Sequence, residues 1–439
     1  MSADTIKPGS SLRIAYLVKT FPRLSETFII NEILGLERLG VNIRIFSLKR
    51  PDTGAVHPAV AKVRASVTYV PSLGPQFRLG DLGSLILCHV LLALVGLRRY
   101  AAAAGFYFFK PEKSRLKDFL QAGYLAWVLR DERFEHLHVH FANVPATVAE
   151  VVQRFIGIRY TLTAHAKDIY LTPADELARK VRSAECVLTC TGYNQRYLAS
   201  LAEGHTPVRL AYHGINISQF GAAGSVAVKL ENDSPFILSV GRFCEKKGFK
   251  YLVGACAILK QAGHRFRCQI VGYGELQHDL ESMIASLELQ ESVSLPGAMT
   301  QDQLAALYAQ ASMFVLPCLI TDNGDRDGIP NVLIEAMSSG VPVISTDVSG
   351  VSELVSHQES GLLVGQKSAV ALAYAMEQLL MRPDLCSRLA ENGRRAVRQR
   401  FTLEASAERV YEILLCAIKP RPLLQVGAAG DPIFRRCEE

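Results

Sequence analysis

The chain of 439 residues has room for two large domains or three of average size. Its 49% hydrophobic and 21% charged residues exclude a disordered chain, and 32 Gly with 19 Pro exclude collagen-like and low-complexity classes. A net charge of +6, from 48 basic and 42 acidic residues with no dense basic tract, excludes nucleic acid as the expected partner.

The first residues, 1–18, lack the basic, apolar and small-residue succession of a signal peptide. Short apolar runs then alternate with helix-length segments, the pattern of a parallel α/β sheet. Strands are expected over Arg13–Val18, Ile43–Leu48, His136–His140, Tyr160–Thr163 and Val187–Cys190. Helices are expected over Phe28–Leu39, Ala146–Phe155 and Asn194–Leu201. The uncharged run Leu82–Leu97 has 16 residues, short of the ~20 needed to span a bilayer. The polar stretch Gly221–Ser234 reads as a linker. A second series follows, with strands over Phe236–Val240, Arg267–Val271, Met313–Leu316 and Val341–Ser345. Its helices are expected over Tyr251–Gln261, Gln277–Leu287, Gln301–Ala309, Asn331–Ser338 and Ala369–Leu380. A helical segment, Leu403–Ile418, precedes a tail, Lys419–Glu439, whose prolines predict a loose end. The expected class is α/β, with two doubly wound parallel-sheet (Rossmann-like) domains over 1–220 and 235–400. Ligands in such folds sit beyond the carboxyl ends of the strands, here in the cleft between the domains. Ten scattered cysteines without a CxxC pair read as reduced thiols.

Several loops carry chemistry. In LSVGRFCEKKGFKYL a strand ends at Val240, the chain turns at Gly241, and Arg242, Lys246 and Lys247 follow. A planar Arg with a nearby Lys suits a diphosphate, although a solvated basic turn has the same sequence. In DGIPNVLIEAMSSGVPV, Asp327 and Glu335 lie eight residues apart. Gly328 allows close backbone approach, and Pro330 suits a first helical turn. Val332, Leu333, Ala336 and Met337 make an apolar stripe that excludes Glu335. A carboxylate there can grip vicinal hydroxyls, as on a ribose, beside a helix N-terminus whose free N–H groups suit an anion; the alternative is an ordinary exposed helix Glu. The loop DNGDRDG imitates a calcium loop but puts Ile334 where the bidentate Glu belongs. VGYGEL has only two glycines of a GxGxxG and is weak evidence for a dinucleotide. His136, His138 and His140 alternate on one strand face, which reads as packing or a cleft wall before it reads as a metal site. His165, just after a strand, is placed to enter the cleft, with Asp168 three residues on; His213 and Asn216 could line it.

In this order and spacing, GRFCEKKG, VGYGEL and DGIPNVLIEAMSSGVPV resemble the retaining glycosyltransferases of family 4, which have the GT-B fold. The resemblance covers most of the chain and is strongest from Phe236 to Val364. KTFPRLSETFIINEI and the HFA…TAHAKDIY segment are similar to the subset that builds exopolysaccharide repeat units, colanic-acid-type enzymes among them. The resemblance implies that Arg242 and Lys247 bind the donor diphosphate and that Glu335 holds the ribose hydroxyls. It implies that Asp327, standing where the family most often has the Glu that opens its Glu-x7-Glu motif, contacts the donor sugar. His165 would stand near that sugar, and the backbone N–H groups around Gly328, Ile329, Pro330 and Asn331 would face sugar or phosphate. The Lys19–Thr27 loop would frame the acceptor side, with Phe21-Pro22 in place of the usual glycines. The last helix would cross back onto the first domain, and closure would be a hinge movement about the linker. A UDP- or GDP-linked sugar is then the co-substrate, with no metal and no cofactor, and retention follows by front-face attack. Alternatives on the same fold are a sugar-nucleotide epimerase, a phosphorylase or a non-catalytic sugar-nucleotide binding protein.

The charge excess is concentrated. Arg98, Arg99, Lys110, Lys113, Arg115 and Lys117 face one acid, Glu112, beside Leu82–Leu97 and the aromatic run Phe106, Tyr107, Phe108 and Phe109, with Trp127 shortly after. Basic residues among apolar ones read as a surface for anionic lipid, against the alternative of a solvated helical insertion. The expectation is a cytoplasmic protein, peripheral on the inner membrane face, with a lipid-linked acceptor.

Overall fold

The computed structural model describes residues 12–23, 26–51, 58–73, 79–109, 115–217, 220 and 234–418. The expected linker, apart from Ser234, and the expected tail lie outside the described residues.

Seven strands make the first sheet: β1 (Arg13–Thr20), β2 (Asn42–Lys49), β3 (Ser66–Tyr69), β4 (His136–His140), β5 (Arg159–Ala164), β6 (Cys186–Thr189) and β7 (Val208–Leu210). Their order is β3-β2-β1-β4-β5-β6-β7, parallel throughout. Six more make the second: β8 (Phe236–Val240), β9 (Arg267–Val271), β10 (Val293–Ser294), β11 (Met313–Leu316), β12 (Val343–Thr346) and β13 (Leu362–Val364). Their order is β10-β9-β8-β11-β12-β13, again parallel. Strand order reverses between β1 and β4 and between β8 and β11, and a crevice opens at such a switch point. The fold is GT-B, as the motifs imply.

The strands missed in the sequence, β3, β7, β10 and β13, are the short edge strands of the two sheets; β3 and β7 have no fully buried residue to give an apolar run. The expected strand Val341–Ser345 instead begins at Val343, because Pro342 has no N–H for the ladder and contributes only its carbonyl, which accepts from the Phe314 N–H at 3.0 Å.

The helix Leu403–Ile418 packs on the helix Thr27–Arg38. Val410, Ile413, Leu414 and Ala417 join Ile14, Ile29, Ile33 and Leu36 in one buried cluster, and Arg159 donates to the Ile418 carbonyl at 2.6 Å. At about 1.5–3 kcal/mol for each large aliphatic side chain, this burial ties the chain end to the first domain.

The run Leu82–Leu97 lies in a longer helix than the sequence suggests, Leu79–Phe109. Its stretch Gly80–Phe109, in which an 18-residue window has mean hydropathy 2.0, is long and apolar enough to cross a membrane by length and composition. It is not one straight rod. Gly96 is non-helical (φ −163°, ψ 71°), and His89 Nδ1 lies 3.0 Å from the Tyr100 hydroxyl. Eleven residues of straight helix span ~16 Å, so the chain doubles back at Gly96 into a hairpin. Leu92, Ala103 and Tyr107 bury one face in the first-domain core. The bend itself is bare: Leu94 is 78% and Leu97 68% exposed. The aromatic run divides accordingly. Tyr107 is buried and Phe106 lies under the Arg154 guanidinium, while Phe108 and Phe109 reach the surface. Trp127 packs on the core and does not join the exposed set, a correction to the expected lipid-facing group. Lys110, Glu112 and Lys113 lie outside the described residues.

Candidate active site

The donor side is built at the carboxyl end of β8. The glycines of VGYGEL have a packing role there. Gly272 (φ +151°) and Gly274 (φ +159°) lie so close to the Gly241–Phe243 loop that a Cβ would meet the Gly241 oxygen at 1.9 Å and the Phe243 oxygen at 2.4 Å. Only glycine fits, and the Arg242 loop is thereby held in place. Lys246 and Lys247 sit on the single turn Glu245–Lys247. Lys247 Nζ lies 2.7 Å from Asp327 Oδ2; Lys246 Nζ lies 3.3 Å from Asp327 Oδ1 and 3.1 Å from Asp325 Oδ1. Burial works against the Asp327 charge, but Lys247 and Lys246 outweigh it and hold the carboxyl at about 2. Burial likewise opposes the charge of each lysine, and Asp327 more than offsets it, so both are held above the ordinary lysine range. Two cations are therefore fully charged and fixed by carboxylates, while Arg242 is exposed.

Glu335, on the helix Asn331–Ser338, is half-buried and not an ordinary exposed residue. Its Oε2 accepts from the Tyr308 hydroxyl at 3.0 Å. Burial pushes its carboxyl up to about 7, with the Tyr308 bond opposing. The turn that precedes this helix reaches the first domain: a Cβ on Gly328 would lie 3.2 Å from Thr191 Cγ2 and 3.6 Å from Cys190 Sγ.

Across the cleft stands His165, at the end of β5, with its N–H donating to Asp168 Oδ1 at 3.0 Å. This is a capping box, in which a bond to the imidazole would come from the Asp168 N–H; the buried Nδ1 has no partner within hydrogen-bond distance. Phe28, Phe141 and His213 surround the ring, with centroids at 4.6, 4.8 and 5.3 Å, and His213 stacks on Phe28 at 4.5 Å. Burial, then His213 and His140, keep His165 well below the ordinary histidine range, so it is neutral. A small cavity beside it is lined by Cys190, His213, Ile329, Ile334 and Phe401 from both domains.

Among the described residues two groups have the proximity to hold a metal ion, His165–Cys190–His213 and Glu32–His138–His140, each with candidate ligand atoms within 4.8 Å of one another. The second is already bonded within the protein: Glu32 accepts from Tyr16, and His138 lies between Thr161 and Thr163. The nine described cysteines form no disulfide, and Cys437 lies outside the described residues.

Contacts that no motif announced hold the domains together. Glu353, on the short helix Val351–Leu354, accepts from the N–H groups of Gly192 and Tyr193 at 2.6 and 2.7 Å and from the Tyr212 hydroxyl at 3.0 Å. Its carboxylate thus caps the first-domain helix Gly192–Ala202. Arg326 lies over the Tyr170 ring at 4.0 Å and donates to the Tyr193 hydroxyl at 3.1 Å. The substitution Glu353→Ala removes three charge-assisted bonds from this junction. The expected result is a loss of about 2 kcal/mol in unfolding free energy and a larger radius of gyration, read by denaturation and small-angle scattering; an unchanged radius and midpoint would refute the clasp.

Two doubly wound parallel-sheet domains, with fixed cations at a strand end of one and a buried histidine at a strand end of the other, have the architecture of GT-B glycosyltransferases. Residues 225–396 match the model of the family described as glycosyl transferases group 1. The chain is 28% identical over 417 residues to WcaL of Salmonella typhimurium, named as a colanic acid biosynthesis glycosyltransferase, covering 92% of this chain and 99% of the relative. It is 28% identical over 398 residues to the amylovoran biosynthesis glycosyltransferase AmsK of Erwinia amylovora, covering 84% and 90%. Among solved structures, a glycosyltransferase from Rickettsia africae superposes with TM-score 0.70 at 18% identity, covering 94% of this chain and 100% of that one. Anabaena HepE, solved with UDP and glucose, superposes with TM-score 0.68 at 16% identity, covering 92% and 100%.

Proposed function

We propose that this protein moves a sugar from a nucleotide-sugar donor to a lipid-linked saccharide acceptor, with retention of configuration, in exopolysaccharide or cell-surface glycan synthesis. The carrying observation is the fixed cation pair Lys246–Lys247 at the end of β8 together with the buried, proton-affine carboxyl of Glu335. Arg242 and Lys247 take the diphosphate and stabilise it as it leaves, Glu335 takes the ribose hydroxyls, and Asp327 and His165 take the sugar. Preorganised charges of this kind act where charge develops in the transition state. The Gly328–Asn331 backbone faces sugar or phosphate. The names of WcaL and AmsK, and the UDP and glucose bound by HepE, support the substrate classes. Screening UDP-, GDP- and ADP-sugars for thermal stabilisation, then incubating the hit with membrane extracts, tests the reading. Absence of both stabilisation and transfer across that panel refutes it.

The acceptor side of the proposal rests on the hairpin. Leu94, Val95 and Leu97 stand bare at its bend beside exposed Arg98 and Arg99, a wedge for the acyl boundary with cations at headgroup level. On this reading the protein is cytoplasmic and lies on the inner membrane face. It sediments with anionic liposomes at low salt, less at high salt, and Leu94→Glu with Leu97→Glu releases it. Equal sedimentation of the double variant, or none of the wild type, excludes the wedge.

A further inference from the structure

Glu32 occupies a position that packing does not explain. It lies on the buried stripe of the helix Thr27–Arg38 with Ile29, Ile33 and Leu36, where an aliphatic residue would fit. Its Oε1 accepts from the Tyr16 hydroxyl at 2.8 Å and pairs with His140 Nε2 at 3.1 Å. The other nitrogen of that ring, Nδ1, lies 3.4 Å from His165 Nε2, and the two imidazoles are stacked with an interplanar angle of 9°. Glu32, His140 and His165 thus form a line that begins at a buried carboxylate and ends at the unpartnered Nδ1 of His165. His138 is beside the line rather than in it: its Nε2 is 3.5 Å from Glu32, and Thr161 and Thr163 hold its nitrogens at 2.7 and 3.1 Å.

The hydrogen-bond roles follow from the carboxylate. The Tyr16 hydroxyl donates to Glu32 Oε1, so that oxygen acts as an acceptor. An ionised carboxylate only accepts, so His140 donates through Nε2. In a neutral imidazole that donates through Nε2, Nδ1 is an acceptor. The facing nitrogen, His165 Nε2, then carries the proton, and His165 Nδ1 is left with a bare lone pair.

We propose that Glu32 and His140 are positioning residues that fix the tautomer of His165, so that Nδ1 accepts a hydrogen bond from a hydroxyl of the bound sugar. The inference rests on the reading that places His165 at the donor sugar. A mistuned tautomer would present an N–H where the sugar hydroxyl needs an acceptor, a mismatch that costs far more than the loss of a contact.

The test is the substitution Glu32→Gln. Tyr16 and His140 share Oε1, so an amide nitrogen in that place donates one N–H to the Tyr16 hydroxyl oxygen and the other to His140 Nε2, which drives the His140 proton to Nδ1 and that of His165 to its own Nδ1. Nitrogen-15 spectra of histidine-labelled, ligand-free protein read each tautomer directly. The wild type is expected to show His165 protonated on Nε2, Glu32→Gln on Nδ1, and the control His138→Gln on Nε2. Glu32→Gln is expected to lower kcat/KM about 100-fold. A His165 protonated on Nδ1 in the wild type overturns the relay, and this spectrum is decisive even if the variant does not fold. A tautomer that switches while UDP-sugar affinity and transfer stay unchanged upholds the relay and overturns the placement of His165 at the sugar.

Discussion

Lys247→Ala is expected to lower kcat and kcat/KM for sugar transfer together, by about 1,000-fold, in a protein that still folds. Lys247 is the cation closest to Asp327, and the pair is fixed before any ligand arrives. A departing diphosphate gains negative charge as the glycosidic bond breaks, and a cation already in place stabilises it without reorganisation. Lys246 remains 3.3 Å from Asp327 in the variant, so the carboxylate keeps one partner and the site does not hold an unpaired buried charge. Lys247→Arg keeps the charge but not the compact ammonium, and an intermediate rate is expected. Steady-state kinetics with the matched donor checks this. A folded Lys247→Ala that turns over at the wild-type rate removes Lys247 from the leaving-group role.

Glu335→Gln is expected to weaken donor binding about 10- to 100-fold, the scale of one or two charge-assisted hydrogen bonds. Titration calorimetry with UDP and with its deoxyribose analogue provides the check: the wild type should discriminate between them and the variant should not. The pH dependence has a defined sign. Burial raises the Glu335 carboxyl to about 7, so in the free protein it ionises only as pH rises through that value. Ribose hydroxyls bond to the ionised form, so affinity falls as pH falls through about 7, and binding near that pH releases a proton. Glu335→Gln abolishes this dependence. The same shift costs stability: the folded state holds the proton more tightly than the unfolded chain, so stability is lost as pH rises from the ordinary carboxylate range through about 7. Equal affinity on both sides of pH 7 in the wild type counts against the ribose assignment.

Much of the fold was legible because parallel strands buried on both faces read as continuous apolar runs. β1, β6, β8 and β11 each lie where such a run stands. β3, β7, β10 and β13 were not legible, because short strands at a sheet edge are held by one neighbouring ladder more than by side-chain burial. The hairpin was half legible. Leu82–Leu97 was visible as apolar, but its reversal at Gly96, across which His89 meets Tyr100, leaves no mark in an apolar run.

The site divides in the same way. Arg242, Lys247, Asp327 and Glu335 stand out in the sequence because they are charges placed at a strand end or off an apolar helix stripe, where local geometry already implies a cleft. Their partners do not. Tyr308 bonds Glu335 from 27 residues away, and Asp325 pairs with Lys246 across 79. Glu32 had a faint signal, a lone acid within a run of buried isoleucines, and Glu353 a fainter one, an acid in a helix's first turn. The sequence alone therefore determined the architecture and the charged residues of the cleft, since periodicity and loop position are local properties of the chain. Which of those charges are paired, which carboxyl holds its proton near neutrality and which histidine nitrogen is left open were decided only by tertiary structure. Those properties depend on burial and on partners within about 4 Å, and folding brings such partners together from distant parts of the chain.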